Sequence, residues 1–267
     1  MRNIGIVGMG TIGRAIARAI DRGQVEARLE AVTSRDLDKL RPFVGTLASP
    51  PAVLPLADVV AKCDLVVEAA TQQALQDLAP LVLGQGKDLM VLSIGGLLGR
   101  ADWVELARRN GCRIYAPSGA IVGLDGVKGA CAGEIRSITM ETRKPPKGLA
   151  GPSYFTEQGI DLFALKEETL VYEGPALEAC QLFPANVNVL AALSLAGLGP
   201  ERTRLKLYAV PGSERNVHDI TVEGEHGRFS VHIEGIPSDT NPRTGRLSYL
   251  SAIAMLKSLT ATLRVGT

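Results

Sequence analysis

The chain has 267 residues and a formal net charge of +1, with few aromatic residues and abundant glycine. This length allows one large domain or two modest ones, and the balanced charge provides no basic footprint for nucleic acid or an anionic membrane. No apolar run approaches the roughly 18 residues that span a bilayer, and the first residues resemble a strand rather than a signal peptide. The four cysteines lack C-x-x-C spacing, which favours buried thiols in a reducing compartment over disulfides or metal ligands. We therefore expect a cytoplasmic protein that binds neither nucleic acid nor membrane and holds no metal.

The first segment, N-I-G-I-V-G-M-G-T-I-G, predicts a dinucleotide-binding turn. Its apolar run predicts a buried strand, and the residues after it have helical spacing. Between the two, Gly8 allows a sharp turn, Gly10 leaves room for a pyrophosphate, and Gly13 allows the helix to pack closely on the strand. The amides at the start of the helix, from Thr11 and Ile12 onward, then face the phosphates. A tight turn that binds nothing is the alternative, but the order of strand, glycine turn and helix favours NAD or NADP as cofactor.

The end of the second predicted strand bears on the choice of cofactor. An acidic residue about 20 positions after the glycines bonds the ribose 2′-hydroxyl of NAD, but Ser34 and Arg35 occupy this region and Asp36 follows. A hydroxyl and a guanidinium match a 2′-phosphate, so we expect NADP to be accepted, alone or beside NAD. Alternatively, Arg35 is a solvated loop residue or stacks on the adenine.

The rest of the first half alternates strands and helices, which predicts a Rossmann-type parallel sheet with helices on both faces. Its ligand crevice lies at the carboxyl ends of the strands, where the small residues Ala69, Ala70 and Thr71 leave room for a cofactor. The predicted elements are strands at 29–33, 64–70, 88–93 and 113–116, helices at 56–63, 72–83 and 101–110, and a loop at 50–55.

In the second half the predicted strands follow one another, which indicates an α+β domain with a mainly antiparallel sheet and helices on one side. A hairpin turn is expected at 224–227. We predict a dinucleotide-binding domain at 1–120, a substrate and dimerisation domain at 121–244, and a C-terminal helix within 245–267 that returns to the first domain. The predicted elements are strands at 134–143, 206–210, 217–223 and 229–234, and helices at 175–182, 187–198 and 246–263.

Five segments from residue 118 onward resemble the L-aspartate dehydrogenase family, in the same order and with compatible spacing. They are S-G-A-I-V-G-L-D at 118–125, T-R-K-P-P at 142–146, F-P-A-N-V-N-V at 183–189, N-V-H at 216–218 and N-P-R-T at 241–244. The resemblance implies a homodimer of Rossmann and α/β substrate domains. It also implies NAD(P)-dependent oxidation of L-aspartate to iminoaspartate, which either hydrolyses to oxaloacetate and ammonia or feeds quinolinate and NAD synthesis.

The same resemblance implies roles for particular residues. His218 corresponds to the active-site histidine of the family, and Ala120 and Asn186 correspond to contacts on the nicotinamide side of the cofactor. Histidine titrates near neutrality and suits proton transfer. Of the other two histidines, His226 is expected to be solvated in the hairpin turn, and His232 to be packed or at an interface.

A dicarboxylic substrate requires cations, and the candidates are Arg143, Lys144, Lys206 and Arg243, most of which are expected to be ordinary surface charges. We predict substrate contacts by Arg143, Lys144, Asn188 and Asn241. Helix capping is the structural alternative for Asn186 and Asn241.

Two other functions remain open. One is a different nicotinamide-dependent enzyme of similar layout, of the homoserine or dihydrodipicolinate type, although the absence of a His-His pair argues against the latter. The other is a sensor that binds NAD(P) without catalysis.

Overall fold

The computed structural model describes residues 1–184, 188–236, 245–263 and 265–266, and the chain forms two compact units. The first comprises Met1–Pro117 with Tyr249–Arg264, and the second Ser118–Ser248 with Val265–Thr267. Each is built on its own sheet. No helix in the described part of the chain has the length and apolar character needed to cross a bilayer.

The sheet of the first unit has six parallel strands in the order β3-β2-β1-β4-β5-β6. This is the doubly wound order of dinucleotide-binding folds, and its direction reverses between β1 and β4. The predicted Rossmann-type sheet is therefore confirmed. The strands are β1 (Arg2–Val7), β2 (Ala27–Thr33), β3 (Ala52–Val53), β4 (Leu65–Glu68), β5 (Asp88–Val91) and β6 (Ile114–Tyr115).

Helices cover both faces of this sheet, which is why its central strands are continuous apolar runs. On one face, Ile16 of α1 shares a buried cluster with Ile253 and Leu256 of the C-terminal helix, Arg246–Thr260. On the other, Leu78 of α4 and Trp103 of α5 lie in a second cluster. The predicted return of the C-terminal helix to this unit is confirmed. The remaining helices are α1 (Thr11–Asp21), α2 (Arg41–Val44), α3 (Leu56–Lys62), α4 (Gln72–Gly84) and α5 (Ala101–Arg109), with a 3₁₀ turn at Ile94–Leu97.

One prediction for this unit was wrong. The segment 50–55 was expected to be a loop, but Ala52 and Val53 form strand β3, which pairs in parallel with Ala31 and Val32 of β2. A strand of two residues is too short to show an alternating pattern in the sequence. Their pairing is imposed by the neighbouring strand, not by local sequence.

The second unit contains a five-stranded sheet in the order β11-β10-β7-β9-β8. Its strands are β7 (Ile135–Lys144), β8 (Thr169–Pro175), β9 (Arg204–Ala209), β10 (Asn216–Gly224) and β11 (Gly227–Gly235). Its helices are α6 (Leu124–Ala130), α7 (Pro146–Leu149), α8 (Ser153–Glu157), α9 (Ala176–Leu182) and α10 (Asn188–Ala196).

This sheet is mixed: β7 and β9 are parallel and the other pairs are antiparallel. The mainly antiparallel character is confirmed, as is the hairpin, in which Gly224 pairs with Gly227. Strand β8 was not predicted. Because β8, α9 and α10 lie between β7 and β9 in the chain, they provide the long crossover that a parallel pair requires.

The two faces of this sheet differ in character. Along β7 the buried residues Met140, Thr142 and Lys144 alternate with the partly exposed Glu141 and Arg143. This period of two separates an interior face from an open, charged face. Only side chains on the interior face can take part in a buried site in this unit.

Candidate active site

The glycine turn after β1 is a close contact between backbone segments. Gly8 has φ +94°, and a Cβ at this position would lie 2.5 Å from the carbonyl oxygen of Ala69. A Cβ on Gly13 would lie 2.1 Å from the carbonyl oxygen of Gly8. The Gly8 amide also donates to the Thr33 carbonyl at 2.9 Å. Side chains at Gly8 and Gly13 would therefore force the turn, β4 and α1 apart.

Gly10 has a different environment, because a Cβ there would meet no atom within 4 Å. It is the N-cap of α1, it provides no side-chain cap, and no acidic residue lies in the first turn of the helix. Thr11 and Ile12 begin the helix at this point. The open space faces a helix N-terminus, where backbone amides and the helix dipole favour an anion. The turn fits the pyrophosphate of a dinucleotide.

The predicted cofactor residues Ala69, Ala70 and Thr71 lie at the carboxyl edge of the first sheet. The amide of Ala69, directly after β4, donates to the carbonyl of Val7 at 2.8 Å. Ala70 is exposed, and Thr71 caps α4 by accepting a hydrogen bond from the Ala74 amide at 3.2 Å. Because the strands are parallel, their carboxyl ends bring this segment beside the glycine turn, as the sequence predicted.

The residues after β2 form a small polar turn. The Ser34 hydroxyl donates to the Asp36 carbonyl at 2.9 Å, and Arg35 is exposed. The Asp36 carboxylate is paired with the Lys39 ammonium at 2.9 Å. Hydrogen bonds from Lys39 lower the pKa of Asp36. Asp36, the acidic residue next to Arg35, is therefore hydrogen-bonded within its own turn, while Arg35 is exposed to solvent.

Glu68, the last residue of β4, was not among the predicted site residues. Its carboxylate is fully buried and accepts four hydrogen bonds from the segments after β4 and β5. The available signal was a charged residue at the end of the apolar run Leu65–Val67.

In the second unit, three polar side chains meet on the interior face of the sheet. His218 of β10 lies directly opposite Thr142 of β7, and His218 Nδ1 lies 3.0 Å from Thr142 Oγ1. Lys144 lies two residues along β7 on the same face. All three are buried. The sequence predicted His218 and Lys144 but not Thr142, because strand register cannot be read from sequence spacing.

Burial lowers the pKa of both basic groups. Desolvation, together with the charge of Lys144, lowers the pKa of His218 to about 3, so the imidazole is neutral at pH 7. Desolvation lowers the pKa of Lys144 to about 8, so its ammonium is retained at pH 7 but is easily lost above it. The pair is an electropositive site that disfavours further positive charge and favours an anion.

Arg143 lies on the opposite face of the sheet from His218 and Lys144. Its guanidinium contacts the carboxylates of Glu168 and Asp219 at 2.9 Å and of Glu141 at 3.1 Å, and it stacks on the Tyr208 ring. The structure therefore does not bring the Arg143 side chain together with Lys144 and His218.

The two remaining histidines are exposed. His226 lies in the hairpin turn, and His232 Nδ1 lies 2.6 Å from Asp219 on the open face. Hydrogen bonds to Asp219 and Glu234 raise the pKa of His232.

The other predicted residues are less informative. Ala120 lies in the loop before α6, and Asn188 is the first residue of α10. Asn186, Asn241 and Arg243 lie outside the described residues.

Both units match known protein families. Residues 125–259, about half of the chain, match the family model of the aspartate dehydrogenase C-terminal domain, and residues 8–117 match that of the homoserine dehydrogenase NAD-binding domain.

Relatives that match nearly the whole chain point to the same family as the C-terminal family model. The chain is 44% identical over 271 residues to an L-aspartate dehydrogenase of Methanosarcina barkeri, covering 100% of both chains. It is 46% identical over 264 residues to one from Bradyrhizobium diazoefficiens, covering 99% of this chain and 94% of the relative. The chain belongs to the L-aspartate dehydrogenase family. The resemblance inferred from the five segments is therefore confirmed, and with it an oxidoreductase that uses NAD or NADP.

Solved structures support the fold. The crystal structure of an aspartate dehydrogenase from Thermotoga maritima superposes with a TM-score of 0.74 at 23% identity, covering 100% of both chains. An identity this low is informative about architecture alone, and that architecture is the one described above.

The glycine turn leads to a first prediction. Replacing Gly10 by Ala should leave the melting temperature nearly unchanged, since a Cβ there contacts nothing. The methyl group should nevertheless obstruct the pyrophosphate and weaken NADH binding by at least about tenfold, or about 1.4 kcal/mol. Fluorescence titration and thermal denaturation measure the two effects. Gly13→Ala is the control that should lower the melting temperature, and unchanged NADH affinity in Gly10→Ala would contradict the assignment.

Proposed function

We propose that the protein oxidises L-aspartate to iminoaspartate with NAD or NADP as the hydride acceptor. The observation that carries this proposal is the buried pair of His218 and Lys144 on the interior face of the second sheet, in a chain of the L-aspartate dehydrogenase family. The imine then either hydrolyses to oxaloacetate and ammonia or serves as a precursor of quinolinate.

Lys144 provides the positive charge that a dicarboxylate needs. In a poorly solvated site a charge pair is much stronger than in water, and a substrate carboxylate compensates the cost of burying the ammonium. Arg143 is adjacent in sequence, but its three carboxylate partners already occupy its charge. We therefore assign carboxylate recognition to Lys144 and not to Arg143.

His218 is proposed as the base that removes the proton from the substrate ammonium. It is neutral in the free protein, as a base must be. In the tautomer that donates Nδ1–H to Thr142 Oγ1, the Nε2 lone pair is the acceptor. Bound carboxylates then raise the pKa of the imidazole by the attraction of opposite charges, which brings it closer to the value that proton transfer requires.

The glycine turn and the segment 69–71 would hold the cofactor, whose nicotinamide ring supplies the hydride acceptor. The residues of this chain position the ring, bind the carboxylates and hold the proton at His218.

Cytoplasmic location and a homodimer remain part of the proposal. All four cysteines are free thiols, which is consistent with a reducing compartment. The family resemblance supports the dimer.

The function is tested by incubating the purified protein with a panel of amino acids and either cofactor, and following the absorbance of the reduced nicotinamide. L-Aspartate should give the fastest turnover. His218→Ala should lower it by roughly 10²–10⁴-fold, the usual span for a lost acid–base group. His232→Ala is the matched control and should retain turnover, because His232 lies on the open face. Turnover with homoserine alone would reject aspartate, and normal turnover in His218→Ala would remove His218 from the mechanism.

The pKa of Lys144 predicts how anion binding depends on pH. Succinate is a dicarboxylate without an amine, so its affinity reports the charge of the site and not that of the ligand. Its dissociation constant, measured by calorimetry, should be nearly constant between about pH 7 and pH 8 and rise by about tenfold per pH unit above that, as the ammonium of the free site loses its proton. His218 is neutral throughout this range and contributes no step. Lys144→Arg should bind succinate without this rise, and a flat profile in the wild type would contradict the role of Lys144.

Cofactor preference is tested at Arg35. If its guanidinium binds a 2′-phosphate, Arg35→Ala should weaken NADPH by about tenfold or more and change NADH affinity by less than about twofold. Arg41→Ala is the control, since Arg41 is also exposed and pairs with Asp38. Equal losses for both cofactors in Arg35→Ala would reject the phosphate contact.

A further inference from the structure

Glu68 is a fully buried carboxylate in the dinucleotide-binding unit, outside the proposed catalytic pair. It ends β4, and its side chain is 0% exposed. One carboxylate oxygen accepts from the Ala70 amide at 2.8 Å and from the Ser93 hydroxyl at 2.9 Å. The other accepts from the amides of Ser93 at 2.9 Å and Leu92 at 3.2 Å.

All three backbone partners are donors, so the geometry matches an ionised carboxylate that only accepts. Desolvation raises the pKa of Glu68, and the four donors oppose that rise. Burying an ionised group costs far more than burying an apolar one. A parallel strand needs no charge at its end to fold, so this arrangement suggests a functional reason.

The Glu68 carboxylate accepts hydrogen bonds from two segments at the carboxyl edge of the sheet. Through Ala70 it fixes the segment after β4, whose Ala69 carbonyl is the atom against which Gly8 packs. Through Ser93 it fixes the start of the 3₁₀ turn after β5. Glu68 thus connects the glycine turn to the end of the next strand.

The strand order indicates which part of the cofactor this region faces. In a doubly wound fold a bound dinucleotide would place its pyrophosphate at the start of α1 and the ribose of its adenosine half at the end of β2. Since β1 separates β2 from β4, the other half of the dinucleotide would extend toward the ends of β4 and β5. This is the half that carries the nicotinamide.

We propose that Glu68 is a positioning residue for the nicotinamide half of the cofactor, acting through the backbone of the segments after β4 and β5. The proposal requires only that the protein bind NAD or NADP, and it is independent of the identity of the substrate.

The test compares a whole dinucleotide with a fragment that lacks the nicotinamide. Affinities of Glu68→Gln and the wild type are measured for NADH and ADP, or for NADPH and 2′-phospho-ADP if the wild type prefers that cofactor. The amide of Gln retains one acceptor oxygen and places its NH2 group against the donors that faced the other oxygen, which distorts at least one of the two segments. We expect the dissociation constant of the dinucleotide to rise by about tenfold and that of the fragment to change by less than about twofold.

Ser93→Ala provides a second, milder variant, because it removes the hydroxyl donor but keeps the amide donor. Its dinucleotide affinity should fall by about threefold with fragment affinity retained, and this variant decides the question if Glu68→Gln does not fold. Equal losses for dinucleotide and fragment would show a general structural role and overturn the proposal, as would unchanged dinucleotide affinity in both variants. Neither measurement uses aspartate, so an error in the proposed substrate would not affect the result.

Discussion

The close approach of backbone segments at the glycine turn is the constraint on which the dinucleotide site depends. Gly8 packs against Ala69, and Gly13 packs against Gly8, at distances that exclude a Cβ at either glycine. These contacts fix the start of α1 relative to the ends of β1 and β4. They also leave the space above Gly10 open, so the same packing that excludes side chains creates room for phosphate. Glu68 extends this arrangement to β5, because it holds the segment against which Gly8 lies.

Much of the first unit could be predicted because its elements obey local rules. Its strands are apolar runs buried on both faces, and the glycines lie where strand and helix meet. The exceptions depend on contacts between distant segments: β3 has two residues, and only its pairing with β2 makes it a strand. The four hydrogen-bond donors to Glu68 come from the two segments after β4 and β5, so they could not be inferred from the sequence around Glu68.

The second unit was harder to predict because its important relations are between strands. Arg143 and Lys144 are adjacent and both basic, and the sequence offered both as substrate ligands. Only the sheet shows that Lys144 faces inward with His218, while Arg143 faces three carboxylates. The pairing of Thr142 with His218 likewise depends on the register of β7 against β10. The family resemblance indicated His218, but not the partner that orients it.

The buried pair of His218 and Lys144 is costly for the free protein, since desolvation disfavours the charged form of each group. Apolar residues at both positions would satisfy the interior face of the sheet at lower cost. Under the proposed function, the pair places a positive charge and a neutral imidazole where a substrate carboxylate and ammonium would bind. Bound carboxylates would lower the energy of the ammonium and raise the basicity of the imidazole together, so the free energy lost in burying these groups is recovered on binding. Under the proposed function, a monocarboxylic amino acid would provide less of this compensation, so the desolvation of the site would favour a dicarboxylic substrate.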